Sequence, residues 1–314
     1  MINTKLFSGT KKSGIILLSI AAISFSAILM SCTGLGAVAN LGAAIGQSTG
    51  LISASTADAI AKTGAAWEKA YEDITPEQEY YIGRAVGANI LASYKLQGNW
   101  PDMVRYVNLI CNALVINSPR PEIFNGYHVN ILDSPEINAF ATSGGHIFLT
   151  RGLIGCTTSE DALASVIAHE VAHIQLQHGL KAIKNSRITQ ALIVTGTSAA
   201  SAAASNYNLG ELTNVFSESI GEIINTMVIN GYSQSQEFDA DSTALALLSL
   251  AGYEPSSLIE MLKVLQQNQP ANPGGFNKTH PSPAQRIANA EKNVGKYSVP
   301  DTRSYRQARF GSFL

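Results

Sequence analysis

The chain has 314 residues, 46% of them hydrophobic, and a formal net charge of −2. That balance excludes the basic surface a nucleic-acid binder needs, so no nucleic-acid partner is expected, and the length allows a core that needs no staples. Charged residues make up 14%, well under the usual quarter, which predicts closely packed small-residue helix or tether over much of the chain.

Residues 1–31 have the layout of an export signal: Lys5, Lys11 and Lys12 precede an apolar run from Ile15 to Met30. The plain alternative, an uncleaved membrane helix, is poorly served by a run of about 16 residues where a span needs roughly 20. Leu29-Met30-Ser31-Cys32 resembles a bacterial lipobox, in which the thiol is acylated and becomes the new N-terminus. Cys32 is therefore the expected lipid anchor and the link to a membrane. Thr33 stands where an inner-membrane retention signal would place Asp, which favours the outer membrane. Export also bears on Cys111 and Cys156, since an oxidising compartment permits a disulfide between them. A pair of buried free thiols is the equal alternative.

From Cys32 to about residue 70 the sequence reads as a lipid-anchored tether, rich in Gly and Ala, with weak helical character. Gly34-Leu35-Gly36 is not a dinucleotide fingerprint, because the later Gly and the preceding strand are missing. Thr75-Pro76 then opens a helix running to about Tyr94, by N-cap and Pro at the first helical position. A second helix is predicted from about Pro101 to Ile116. Tyr127 to Ile131 alternates like a strand, and Asn138–Thr142 and His146–Thr150 are two more, joined by Ser143-Gly144-Gly145 as a hairpin. Thr158-Ser159-Glu160-Asp161 is a capping cluster for a helix reaching Gly179. Residues 188–204 are apolar and small but too polar for a membrane span. Helices are expected over Leu212–Val228, Ser233–Leu250 and Ser256–Gln267, with Gly252 and Pro255 punctuating them. Residues 296–314, carrying Lys296, Arg303, Arg306 and Arg309, read as a solvated tail.

The strongest chemical signal is His169-Glu170-Val171-Ala172-His173. On a helix the two imidazoles lie one turn apart on one face, where both can point at one ion with Glu170 beside them. Such a triplet arises by chance in roughly one chain in a hundred of this length. At about 100° per residue, Leu163, Val166, Ile167, Val171 and Ile174 form an apolar arc with Glu170 inside it. Burying an unpaired carboxylate is costly; a water activated by a metal gives it a reason to be there. Catalytic zinc takes three protein ligands. The metzincin pattern would need Gly at 176 and His at 179, where this chain has Leu176 and Gly179. The gluzincin pattern takes a Glu from a later helix, and Glu237 with Asp241 one turn on fits. Asp241 would accept the outer N–H of a ligand His. Taken alone, Glu237, Asp239 and Asp241 read as solvated acids; taken with the first motif they read as a metal site.

Thr158–His178, Glu237–Asp241 with Leu250-Ala251-Gly252-Tyr253, and Thr279-His280-Pro281-Ser282, together with Asn138-Ala139-Phe140 and the strand Gly145–Thr150, resemble the HtpX-like and CAAX-prenyl-protease-type metallopeptidases over roughly residues 70–290. The lipobox points within that family to its periplasmic lipoprotein branch. Gln234 and Ser242 stand where the family often has Arg, which puts a supporting ion pair in doubt. The resemblance implies an α+β, mostly helical zincin-type domain over residues 71–295, with a small sheet and an active-site helix. It implies one zinc ion held by His169, His173 and Glu237, with Glu170 as base. His280 is left open between an oxyanion donor, a fourth ligand and an ordinary loop histidine. His146, Ile147 and Phe148, with Asn138, would offer a free strand edge to an extended substrate. His128 and His178 are read as structural or surface residues, and His146 is no ligand. The expected activity is endopeptidase cleavage of unfolded or misassembled envelope proteins, with the outer-membrane assembly machinery as a further partner. A weakly proteolytic chaperone and a structural lipoprotein with an accidental motif are the rival readings.

Overall fold

The computed structural model describes residues 35–201, 231–268, 275–280 and 283–313. The export signal 1–31, the anchor Cys32 and the expected helix Leu212–Val228 lie outside the described residues. The chain divides into two compact units, Met1–Asp73 with Lys184–Leu212, and Ile74–Ile183 with Thr213–Leu314.

In the first unit, α1 (Leu35–Ser48) packs on α2 (Ala54–Tyr71). Small residues let the two backbones approach: a Cβ on Gly36 would meet the Ala65 Cα at 3.5 Å. Ser53 caps α2 by accepting the Thr56 N–H at 3.2 Å. The stretch read as a weakly helical tether is therefore a helical hairpin. No described helix is long and apolar enough to cross a membrane.

The second unit is α+β and mostly helical, as the sequence predicts. Thr75 and Gln78 form a capping box around Pro76 at the start of α3 (Pro76–Ser93), and α4 (Pro101–Val115) follows. Strands β1 (His128–Leu132), β2 (Ala139–Ala141) and β3 (His146–Thr150) form one sheet in the order β1-β3-β2. β2 and β3 make the expected antiparallel hairpin, with Phe140 opposite Phe148. β1 runs parallel to β3, pairing His128 with His146. The hairpin turn needs its glycines: Gly144 and Gly145 have φ of 75° and 100°, and a Cβ on Gly144 would stand 2.4 Å from the Tyr80 Cα.

This order corrects one expectation. β3 is the central strand, so it presents no free edge, and Ile147 and Phe148 are buried in the core. The apolar character that made His146–Thr150 look like a strand comes from being covered on both faces.

After α5 (Arg151–Cys156) comes α6 (Glu160–Gln175), buried from Glu160 through Ile174. It lies in the core among α4, β2, α8 (Gln234–Ala251) and α9 (Ser256–Gln267). Gly252 ends α8 in the left-handed conformation, φ 78°, as its position predicted. The helix α7 (His178–Ser201) begins in this unit and continues in the other. The short α10 (Phe276–Thr279) and α11 (Pro283–Val294) follow. Cys111 and Cys156 are both free thiols.

Residues 303–311 are not a solvated tail but a helix, α12 (Arg303–Gly311). Arg306 is buried, donates from Nε to Asp161 at 3.0 Å and from a terminal nitrogen to the Gly252 carbonyl at 3.0 Å. Arg309 pairs with Glu160, Phe310 enters the core, and Phe313 stacks on Tyr106 with centroids 4.2 Å apart. Buried acids at the start of α6 require these cations, and neither partner is evident from the sequence alone. Arg306→Ala strands Asp161 and is expected to cost about 3 kcal/mol of unfolding free energy. Lys263→Ala, at the exposed pair with Glu291, is expected to cost less than about 0.5 kcal/mol. Urea titration measures both, and equal shifts would contradict this account of α12.

Candidate metal centre

Two helices, each with a pair of polar side chains one turn apart, supply the site. Ser159 accepts the Ala162 N–H at 3.1 Å and starts α6, which carries His169 and His173 on one face. Ser233 and Gln236 form a capping box that starts α8, which carries Glu237 and Asp241. A third element, the loop after α10, brings His280. Its path is fixed by Gly231, φ 78°, where a Cβ would lie 2.3 Å from the Lys278 carbonyl oxygen, and by the Tyr232 N–H donating to Thr279 at 3.0 Å.

His169, His173, Glu237 and His280 are all buried, with one ligand atom from each within 4.8 Å of the others. His169 Nε2 is 3.0 Å from His173 Nε2 and 3.4 Å from Glu237 Oε2, and His173 Nε2 is 3.5 Å from Glu237 Oε1. His280 Nδ1 is 3.3 Å from His169 Nε2 and 3.1 Å from Glu237 Oε1. Donors at zinc–nitrogen and zinc–oxygen bond lengths on a tetrahedron stand about 3.3 Å apart, so these spacings fit a zinc ion. Both Glu170 oxygens and Glu237 Oε2 are buried without a hydrogen bond, acceptors that an ion and a water would satisfy. Glu170 Oε1 is 3.6 Å from His280 Nε2.

Around these donors lies a supporting layer. Asp241 Oδ1 is 3.0 Å from His169 Nδ1. Arg286, on α11, donates to Asp241 from Nε at 2.8 Å and from a terminal nitrogen at 2.7 Å, and its other terminal nitrogen is 2.9 Å from Glu237 Oε2. That last contact has the distance of an ion pair without hydrogen-bond geometry. His173 Nδ1 is 2.8 Å from His178 Nδ1. The Tyr232 ring stacks on His173 at 3.9 Å.

The electrostatics follow from burial and these partners. Burial raises the Glu170 carboxyl above its ordinary range, which strengthens its hold on a proton. Burial pushes Glu237 the same way, but Arg286 and the facing histidines outweigh it and hold Glu237 well below the carboxylate range. Burial and Arg286 oppose charge on His169, yet hydrogen bonds to Asp241 and Glu237 take it up to about 9. His173 is driven well below its ordinary value by burial, and His178 to about 4, by burial and then Lys181.

The structure brings His169, Glu170, His173, Glu237, Asp241 and His280 together. His280 is buried, not the surface loop residue that was one alternative. His178 is likewise fully buried, the structural alternative of its two readings. Asn138 is buried too; its Oδ1 accepts from Thr279 Oγ1 at 3.1 Å, so it ties β2 to the His280 loop. His146 is half-buried beside Tyr80 and His128 and is not among the clustered donors. Sequence reasoning missed Arg286, His178 and Tyr232. Arg286 follows His280 by six positions at the start of a helix, and its guanidinium does the work expected of an Arg at 234 or 242. Gln234 instead bonds Gln285 at 2.6 Å.

Two buried His on α6 and a buried Glu on α8, with Glu170 beside the histidines on α6 and without a hydrogen bond, define a metallohydrolase-type centre. The family model for Peptidase family M48 matches residues 104–294, and the chain belongs to this family of zinc metalloendopeptidases. It is similar to a beta-barrel assembly-enhancing protease of Yersinia pestis, 26% identical over 209 residues, 65% of this chain and 41% of that protein. Metalloprotease LoiP of Escherichia coli is 28% identical over 188 residues, 59% of this chain and 68% of LoiP. Mitochondrial metalloendopeptidase OMA1 of Schizosaccharomyces pombe is 24% identical over 230 residues, 71% of this chain and 63% of OMA1. The chain spans less than half the length of the beta-barrel assembly-enhancing proteases it matches, 41% and 43% for those of Y. pestis and E. coli.

Asp241 supplies a pH test. Burial would raise its carboxyl, but Arg286 and His169 outweigh burial and hold it at about 2 against an ordinary 3.8. A depressed value means the folded state binds fewer protons, so this stabilisation is complete above about pH 4 and is lost as pH falls toward 2. Asp241→Asn is expected to remove about 2 kcal/mol of that acid-side loss in chelator-treated protein. Urea unfolding at stepped pH reads it, and an unchanged slope between pH 4 and 2 would contradict the assignment.

Proposed function

We propose that this chain is a zinc-dependent endopeptidase of the bacterial cell envelope that hydrolyses unfolded or misassembled proteins. In this reading His169, His173 and Glu237 hold one zinc ion and Glu170 is the general base. The observation that carries it is the meeting of these donors at tetrahedral spacing, with the Glu170 carboxylate buried beside them without a hydrogen bond. When bound, zinc polarises a peptide carbonyl and eases deprotonation of water. Glu170 takes the proton of the attacking water and passes it to the leaving amine, a transfer favoured by its raised carboxyl. His280 stands where it can hold the site closed as a fourth donor, and its Nε2 faces Glu170. Asp241 fixes His169 by its Nδ1, and Arg286 holds Asp241.

An extended substrate is assigned to β2, which packs against α6 and pairs with β3 on one side. Among the described residues no strand pairs its other side. Ala139–Ala141 are themselves buried, so main-chain pairing there, which would give affinity with little sequence preference, requires this edge to be uncovered. The relatives' name, beta-barrel assembly-enhancing protease, favours outer-membrane proteins and their assembly machinery as clients and partners. The lipobox at Cys32 favours attachment to that membrane, facing the periplasm.

Glu170→Gln is expected to keep the fold and the zinc and to lower casein cleavage by at least about 100-fold. Undiminished cleavage removes the base assignment, and undiminished client protection without cleavage favours a chaperone. Cys32→Ser is expected to abolish incorporation of labelled fatty acid in cells and to release the protein from the membrane fraction; continued labelling contradicts the anchor.

A further inference from the structure

We propose that His178 is a positioning residue for the metal site: its Nδ1 accepts a hydrogen bond from His173 and thereby fixes the tautomer and ring plane with which His173 faces the ion. The inference rests on the metal-site reading above.

The hydrogen bond has one possible direction. His173 Nε2 points at His169 Nε2, 3.0 Å away, and at Glu237 Oε1, 3.5 Å away. A nitrogen that ligates a metal carries no proton, so a neutral His173 keeps its proton on Nδ1. That Nδ1 lies 2.8 Å from His178 Nδ1. Two protonated or two bare nitrogens repel at such a distance, so His178 Nδ1 is the bare acceptor and His178 carries its own proton on Nε2. His178 Nε2 is buried without a hydrogen-bond partner, and the contact to His173 is the ring's hydrogen bond among the described residues.

The backbone is shaped for this contact. On a continuous helix a residue five positions after His173 would point about 140° away from it. The chain instead stops α6 at Gln175, puts Gln177 in the left-handed region at φ 55°, and starts α7 at His178. Gln is an unfavourable residue there, and the break turns His178 back toward the site. Tyr232 completes the arrangement, stacking on His173 with centroids 3.9 Å apart and planes 17° apart. His173 is thus held at its edge by His178 and on its face by Tyr232. The two ligand imidazoles are supported differently: His169 leans on a carboxylate, Asp241, and His173 on a neutral ring.

The test compares the full chain with His178→Phe, which keeps a ring and removes the acceptor, and His178→Asn, whose amide oxygen can take the place of Nδ1. Zinc dissociation constants come from chelator competition and stability from thermal unfolding. His178→Phe is expected to weaken zinc binding about 10- to 100-fold at near-unchanged melting temperature, and His178→Asn to restore most of it. In the zinc-loaded wild-type chain, nitrogen-15 NMR of its six histidines is expected to place the His173 proton on Nδ1 and the His178 proton on Nε2. Wild-type zinc affinity in His178→Phe overturns the proposal, and so does a His178 proton on Nδ1. If His178→Phe does not fold, the tautomer assignment on the unmodified chain decides. His173→Ala separates the two readings: retained zinc sinks the metal site itself, whereas lost zinc with an unaffected His178→Phe sinks only the role of His178.

Discussion

Three carboxylates, Glu170, Glu237 and Asp241, are withdrawn from water into one small volume with Arg286 among them. Removing charge from water is costly unless it is paired, and this constraint organises the second unit. Arg286 neutralises Asp241 and leans on Glu237. Glu237 and the imidazoles then present lone pairs to a common point, which a divalent cation would fill with a second positive charge. Glu170 is left buried without a hydrogen bond, and burial raises it. An apolar residue at either 170 or 237 would be easier to fold and would leave nothing to bind or activate.

The rest of the fold serves this convergence. α6 can carry a buried acid and two buried histidines because it is covered on every side, by α4, the sheet, α8 and α9. Its own first-turn acids are sealed by Tyr106, Tyr253, Arg306 and Arg309, with Tyr106 and Tyr253 both donating to Glu160. The C-terminal helix therefore holds the far end of the helix that carries the ligands. Stability is spread across that length, while chemistry is confined to its last two turns.

Much of this was legible in the sequence because it is local. Caps at Thr75 and Ser159, the Gly252 stop, the β2–β3 hairpin and the i, i+4 histidine pair all act within a few residues, and each is found as read. The pairing of Glu237 and Asp241 with that helix came from the motif set, since spacing along the chain says nothing of which helices meet. What was missed is nonlocal. The parallel pairing of β1 with β3 makes β3 central, and no periodicity separates a covered strand from an edge one. Arg286 and Arg306 look like surface charges until the carboxylates they neutralise are located. His178 escaped because five positions is the wrong spacing on a helix, and only the left-handed turn at Gln177 makes it right.

Zinc-edge X-ray absorption of the purified full chain tests the central claim most directly. One zinc per chain with a first shell of nitrogen and oxygen at about 2.0–2.1 Å, including imidazole scattering, is the predicted result. A sulfur shell at about 2.3 Å, which one of the three cysteines would have to supply, or a spectrum unchanged by Glu237→Ala, would contradict it.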